Sequence, residues 1–386
     1  MLTKFKKNIR KIPVVSGLAK LVYDWRQEKR LRKKVAGFLA AGSLPYASIA
    51  PPQYTVGYEP TIRCNLRCKM CYQGQTRALR RSELGTDEVM EIFEKLKRKT
   101  AAIKLVGGEP MVRDDILKLL NFWYKNNTRT ILQTNCTLIN ANNIKTIKQL
   151  TNITDVLTSL DGPPELHDVI RGVPGAFDKL KQAIELLKKS RPDIPITVFA
   201  TILPWDNLDD LLRLIDVVKG LGLGTLNLIF EQVYSAEEIR AAKNVFTNIF
   251  GWSEDNYRLN TQVKESFFPV GFSAAKFKNK LKEARFYGLK KGCFVNFVPF
   301  NYYRQPAKYL NGGPGRPFCL KLLAPELRVN QTGDVIWCDV IEKSFGNLLE
   351  KTPDQIWLSD EYQKFRNYLY KNSLPICRRC CKAMYV

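Results

Sequence analysis

Three cysteines fall within eight positions, in the stretch Ile62-Arg63-Cys64-Asn65-Leu66-Arg67-Cys68-Lys69-Met70-Cys71-Tyr72. Thiolates are soft ligands that select zinc, copper(I) or iron–sulfur centres, and three so close in sequence can converge on one face of a compact loop. No fourth ligand lies nearby. A structural zinc site is closed by four ligands, and the finger patterns use histidine, whereas this chain has a single histidine, His167, far downstream. A cluster held by Cys64, Cys68 and Cys71 would instead leave one iron open to an outside ligand. A zinc knuckle and free buried cysteines are the competing readings, the second disfavoured by Arg67 and Lys69 between the thiols.

A second constellation occupies the end of the chain: Cys319, then Gly333-Asp334-Val335-Ile336-Trp337-Cys338, then Cys377-Arg378-Arg379-Cys380-Cys381. Gly333 within Leu327–Ile336 reads as a hairpin turn that would bring Cys319 and Cys338 together. A helix around Thr352–Tyr370 would return the carboxyl end to that pair. Cys319, Cys338, Cys377 and Cys380 would then close a four-thiolate site that suits zinc as well as iron and sulfide. Cys293 reads as a core residue.

The elements that must position these residues follow a strand–helix rhythm. Strands are expected at Tyr54–Glu59, Ile103–Val106, Thr130–Thr134, Asp155–Leu160, Ile196–Ile202 and Leu226–Phe230. Helices are expected near Thr86–Arg98, Asp114–Asn126, Ala141–Leu150, Ala176–Lys188 and Leu208–Lys219. Six alternations predict an α/β fold with a parallel sheet and active residues in the loops after the carboxyl ends of the strands. The first cysteine triplet follows the first strand directly, and Gly107-Gly108-Glu109-Pro110 follows the second. Two glycines allow a close approach that side chains would forbid, and Glu109 at the edge could accept from an ammonium.

CysX3CysX2Cys followed by Tyr72 resembles the signature of the radical S-adenosylmethionine (SAM) enzymes. The resemblance covers residues 54–230 and implies a partial (β/α)6 TIM-like barrel, with a [4Fe–4S] cluster on Cys64, Cys68 and Cys71 whose open iron is chelated by S-adenosylmethionine. It makes Gly107, Gly108, Glu109 and Pro110 the turn at the cofactor's amino group, and places Tyr72 by the cluster or adenine. Ser159, in Thr158-Ser159-Leu160-Asp161-Gly162, and Arg171 are its candidates for holding the cofactor carboxylate, Arg171 being equally suited to clamp Asp168 or another loop acid. Cys136 stands where the family often has glycine after Thr134-Asn135. His167 is read as a hydrogen-bonded loop residue.

The carboxyl-terminal pattern, with Ser344-Phe345-Gly346-Asn347-Leu348 and Ile356-Trp357, is similar to the twitch or SPASM extension of the same family. It implies a small α+β cysteine-rich domain over 319–386 with one auxiliary [4Fe–4S] cluster, Cys381 being spare. Residues 231–318 depart from the strand–helix rhythm. They are read as a linking, substrate-facing region with helices at Glu237–Phe250 and Ala274–Tyr287. The aromatics there, Tyr257, Phe267, Phe268, Phe272, Phe294, Phe297, Phe300, Tyr302 and Tyr303, would form a second core, an acyl-chain cavity or a stacking platform.

Charge bounds the partners. The 386 residues carry a formal net charge of +24, an excess that favours something anionic. Twelve lysines and arginines fall in residues 1–40 against Asp24 and Glu28, beside an apolar stripe of Leu18, Leu21, Val22, Trp25, Leu31, Val35, Phe38 and Leu39. That segment suits an anionic membrane surface or a helix packed on the barrel. Pro45, Pro51 and Pro52 make the linker up to residue 53. No apolar run is long enough to span a membrane, and no secretory signal is evident, so a cytoplasmic protein is expected, at most peripheral to the membrane. The expected function is hydrogen-atom abstraction from an anionic small molecule, nucleotide sugar or lipid, with net oxidation or bond formation and electrons from a flavodoxin or ferredoxin. The alternatives are a peptide-modifying enzyme of the same family, a non-catalytic iron–sulfur electron carrier, and a zinc-dependent nucleic-acid-binding protein, for which no RNA-binding motif is present.

Overall fold

Alternating buried and half-exposed residues set the two faces of the sheet. The computed structural model describes residues 13–73, 82–260, 272–310 and 315–385, with backbone alone for 13–25. After a long helix, α1 (Pro13–Ala40), come β1 (Tyr54–Tyr58), α2 (Thr86–Leu96), β2 (Thr100–Leu105), α3 (Ile116–Lys125), β3 (Thr130–Gln133), α4 (Ile144–Gln149) and β4 (Ile153–Ser159). The rhythm continues through α5 (Pro164–Arg171), α6 (Ala176–Ser190), β5 (Ile196–Ile202), α7 (Leu211–Gly220) and β6 (Thr225–Phe230). All six strands pair in parallel in sequence order. Val56, Ile103, Leu105, Leu132, Val156, Val198, Leu226 and Leu228 are buried in one cluster with Leu119, Leu180, Ile184, Leu214 and Ile215 of the helices. The core therefore lies between sheet and helices.

The rhythm does not stop at Phe230. Beyond α8 (Ala236–Val245) and β7 (Arg258–Leu259), α9 (Ala274–Lys291) crosses over to β8 (Phe294–Val298), which pairs in parallel with β6. The helix is the one expected at Ala274–Tyr287; what the sequence hid is that it is a crossover to a further strand, because α9 is rich in lysine and shows only Phe277, Leu281, Ala284, Arg285 and Gly288 to the core. Helices α10 (Phe300–Arg304) and α11 (Pro306–Leu310) and strand β9 (Pro317–Cys319) follow, and the expected hairpin forms from β10 (Glu326–Val329) and β11 (Val335–Ile336) around Gly333. β10 also pairs in parallel with β1, Val56 opposite Leu327 and Gly57 opposite Arg328. One nine-stranded sheet results, in the order β11-β10-β1-β2-β3-β4-β5-β6-β8, whose two edges do not pair with each other. It is a partial barrel, and the hairpin of the cysteine-rich region is built into its wall.

The chain ends with β12 (Ile341–Glu342), α12 (Pro353–Trp357), α13 (Asp360–Lys371) and β13 (Ala383–Tyr385). The single helix expected over Thr352–Tyr370 is two, because Ser359 adopts an extended backbone before α13. Phe345, Tyr362 and Phe365 form an aromatic core with Trp252, and Phe297 stacks on Tyr303 at 4.3 Å. These rings are a second core; Phe267 and Phe268 lie outside the described residues. In α1, Val35 is buried, Phe38 packs edge-on against Phe318 and Tyr370, and Glu28 pairs with Arg32 and Arg304. The later half of the apolar stripe is thus spent on protein contacts rather than left for a lipid surface. Among the described residues no helix is long and apolar enough to cross a membrane.

Candidate functional site at the strand tips

The cysteine loop and the glycine turn are interlocked. Val106 N–H donates to Tyr58 O at 2.9 Å, Gly108 N–H to Thr61 O at 2.9 Å and Glu109 N–H to Arg63 O at 2.8 Å, zipping the two chain segments together beyond the strands. Gly107 has φ +108°, and a Cβ there would lie 2.6 Å from Glu59 Cγ. A Cβ on Gly108 would lie 2.1 Å from Arg63 O. Both glycines are required by this close approach. On the opposite side Arg67 and Lys69 N–H donate to the carbonyls of Arg171 and Ile170, both at 2.9 Å, and Asn135 Nδ2 donates to Asn65 Oδ1 at 2.9 Å. The triplet is held by the tips of β2 and β3 and by the end of α5. Donors reach two of its sulfurs: Leu66 N–H to Cys64 Sγ and Arg171 Nη1 to Cys68 Sγ, each at 3.4 Å.

The remaining candidates divide. Glu109 is buried, and its carboxylate accepts from Met111 N–H at 3.0 Å, Thr134 Oγ1 at 2.6 Å and Asn135 N–H at 2.6 Å. Burial raises its pKa while these donors oppose the shift. The carboxylate thus ties the glycine turn to the tip of β3, and Pro110 opens a short 3-10 turn beside it. Arg171 ion-pairs with Asp161, whose side chain is fully buried. That acid, not Asp168, is its partner; Asp168 instead accepts from Gly175 and Phe177 N–H at 2.6 and 2.8 Å. Ser159 ends β4 opposite Phe199, half-buried on the face away from the helices. His167 and Arg171 lie on α5 rather than in a loop, a helix the sequence signalled through Pro164 at its start and Gly172 at its end. His167 Nδ1 accepts from Asp161 N–H at 3.2 Å, and burial with nearby Arg171 holds its pKa down at about 3.

Burial, and next Asp339 and Glu59, raise the Tyr72 pKa well above the ordinary value, with Arg328 opposing them. Asn65, Asn135, Asp161, Glu59 and Arg328 were not among the expected site residues. Only tertiary register brings them together, so no spacing could have revealed them. Cys136, fully buried at φ +64°, takes the left-handed conformation a glycine would prefer, and burial pushes its thiol up to about 12.

The second thiol set also assembles. β13 pairs with β9, Ala383 opposite Cys319, and burial first, then Cys319 and Cys338 as neighbouring potential thiolates, raise the pKa of Cys377. Cys380 is raised by Cys381, burial, Cys377 and Cys319, and burial holds Cys338 up at about 11. Half-buried thiols crowded so that these four do not ionise easily are what a cationic metal centre relieves. Cys381 accepts from Gln232 Nε2 at 3.0 Å, which turns it toward the loop after β6. Cys293 is in the core, its pKa raised to about 11 by burial. Among the described residues no three Cys, His, Asp or Glu side chains converge as tightly as a single ion demands. A cubane spreads its thiolates over separate irons, and both donor sets are thiol-only, so they fit iron–sulfur clusters.

Opposite the helices, Leu157, Ser159, Thr197, Phe199, Thr201, Asn227, Ile229, Asn296 and Val298 are half-exposed on successive strands. They form one polar and apolar trough leading to the strand tips.

The comparisons agree with this geometry. Residues 58–218 match the family model described as the Radical SAM superfamily, and residues 319–381 match SPASM, an iron–sulfur cluster-binding domain. The AdoMet-dependent heme synthase of Methanosarcina barkeri is 26% identical over 81% of this chain and 84% of its own length. The fold is similar to that of Streptococcus suis SuiB bound to S-adenosylmethionine, with TM-score 0.58, 16% identity, and coverage of 89% of this chain and 73% of that one. It is also similar to anSMEcpe with bound AdoMet and Cp18Cys peptide, with TM-score 0.58, 19% identity and coverage of 83% and 84%. With its triplet, glycine turn, partial barrel and closing thiols, the chain belongs to the radical SAM superfamily and carries a carboxyl-terminal SPASM domain.

Proposed function

We propose that the protein is a radical SAM enzyme that oxidises, or forms a bond within, an anionic small molecule, with Cys64, Cys68 and Cys71 holding one [4Fe–4S] cluster and Cys319, Cys338, Cys377 and Cys380 holding an auxiliary one. The observation that carries it is the interlock of the cysteine loop with Gly107 and Gly108, a cradle that any side chain would fill. With S-adenosylmethionine bound, the first cluster supplies the reductive cleavage that yields a 5′-deoxyadenosyl radical. The chain's own residues do the rest. The glycine turn offers backbone at close range, Arg171 donates to Cys68 and is held by Asp161, and Ser159 and Phe199 stand where the trough meets the strand tips. Leu157, Ile229 and Val298 give the trough its apolar wall.

Net positive charge supports an anionic substrate, and the M. barkeri relative is named for making haem, a carboxylate-bearing molecule. A peptide substrate is the second reading, favoured by the peptide seen with anSMEcpe. Flavodoxin or ferredoxin, both acidic carriers, would suit the basic surface as reductant. The test is iron and acid-labile sulfide on anaerobically purified protein and on a triple C64A/C68A/C71A variant, with S-adenosylmethionine cleavage assayed under dithionite. About eight irons falling to about four, with cleavage lost, is the expected result. About four falling to none would remove the auxiliary cluster, and cleavage surviving in the variant would overturn the assignment.

A further inference from the structure

The wall nearest the cysteine-rich region carries more positive charge than its acids match. Arg328, Gly57, Lys104 and Ile131 form one row across β10, β1, β2 and β3. The absent side chain of Gly57 leaves the space that Arg328 fills, its Cδ and Nη1 each 3.3 Å from where a Cβ would stand, so Arg328 and Lys104 project from the same face of the row. Arg328 reaches Asp339 at 2.6 Å and Glu59 at 3.9 Å. Lys321 pairs with Glu326 at 3.1 Å, and Gln73 donates to Glu59. Lys382, exposed just after Cys381, and Lys104 both act on Asp339, so among the described residues four cations, Lys104, Lys321, Arg328 and Lys382, face three carboxylates, Glu59, Glu326 and Asp339. Among the described residues neither Lys104 nor Lys382 has an acid within ion-pair distance. Arg328, although 5% exposed, has its Nε without an acceptor.

Resting on the radical SAM reading above, we propose that Lys104, Lys382 and the Arg328 Nε form a subsite that takes an oxyanion of the substrate, a carboxylate or a phosphate. The cationic form of Lys104 is disfavoured by burial and next by Lys382, the condition an anion would relieve. Its place in the barrel suits an anchor. Gly57 lies two residues before Glu59, which sits against Gly107, so the subsite is about 7 Å along β1 from the glycine turn. Tyr72, beside Cys71, feels the same Arg328, together with Asp339 and Glu59. A molecule held here by its anionic group would present a carbon several bonds away to the radical.

The experiment is calorimetric titration of the iron-loaded, S-adenosylmethionine-bound protein with inorganic phosphate and, separately, with acetate. Wild type should show one saturable site, weakened about tenfold or more in K104M and in K382M, as expected for loss of a charge-assisted contact. K104R, which keeps the charge, and K189M, on the outer helix α6, should stay within about twofold of wild type by the same arithmetic. Iron content reports whether each variant is folded. Preference for phosphate or acetate tells which oxyanion the subsite takes. No saturable binding by wild type, or K104M binding as wild type does, overturns the subsite. Absent S-adenosylmethionine cleavage by wild type overturns the functional reading instead, whatever the phosphate result.

Discussion

Single residues at the strand tips are constrained by contact. At Gly108 a methyl group has no room, so G108A should displace the cysteine loop and lower S-adenosylmethionine cleavage by about 100-fold, the scale of an ångström misplacement at a reacting centre. Arg171 is the sole cation paired with fully buried Asp161 among the described residues. R171M should cost about 3–5 kcal/mol in urea unfolding, and adding D161N should restore more than half of it, because the penalty is the orphaned charge. His167 gives a pH signature. Its folded pKa, held at about 3, lies below the ordinary 6.5, so its contribution to stability is complete above about pH 6.5 and is lost as pH falls toward 3. Urea midpoints measured from pH 7 to pH 4 should fall less steeply in H167N than in the parent. Equal slopes would show that His167 is not buried neutral.

Among the elements, those with strong apolar periodicity were legible. The six strands and five crossover helices expected from spacing all form, as does the hairpin at Gly333, since alternation and turn residues are local signals. What escaped was set by tertiary pairing. Lysines cover α9 because most of its surface meets solvent, so its crossover to β8 was hidden, and nothing in Glu326–Val329 announced a partner as distant as β1. At the site, cysteines and glycines declared themselves by type and spacing, while Asn65, Asp161 and Arg328 matter only through what they touch. The same distinction applies to α1, whose stripe suited lipid or protein equally. Its later half now reads as a strap over the cysteine-rich region, with Tyr370 Oη donating to Phe38 O and Leu39 O at 3.2 and 3.1 Å. F38A should therefore lower stability by about 2 kcal/mol, less than the ~3–5 for a fully buried phenylalanine. An unchanged urea midpoint would leave the strap without energetic weight and return the segment to the membrane reading.

For the whole molecule, the two thiol sets share one scaffold. A C377A/C380A variant should lose about half its iron while the first site, framed by β1 to β4, keeps its share. Full loss would mean that the auxiliary centre is needed to hold the sheet. The place of β10 beside β1 bears on how the chain comes to be. The strand that leads into the cysteine loop acquires one of its two neighbours only when residues 326–329, far along the chain, have been made. A nascent chain emerging from the ribosome would thus expose an unsatisfied strand edge next to the three thiols until β10 is available. Cluster insertion into a stable pocket must then wait for β10, and truncations that remove residues 326–329 should accumulate as apoprotein prone to aggregation rather than as smaller working enzymes.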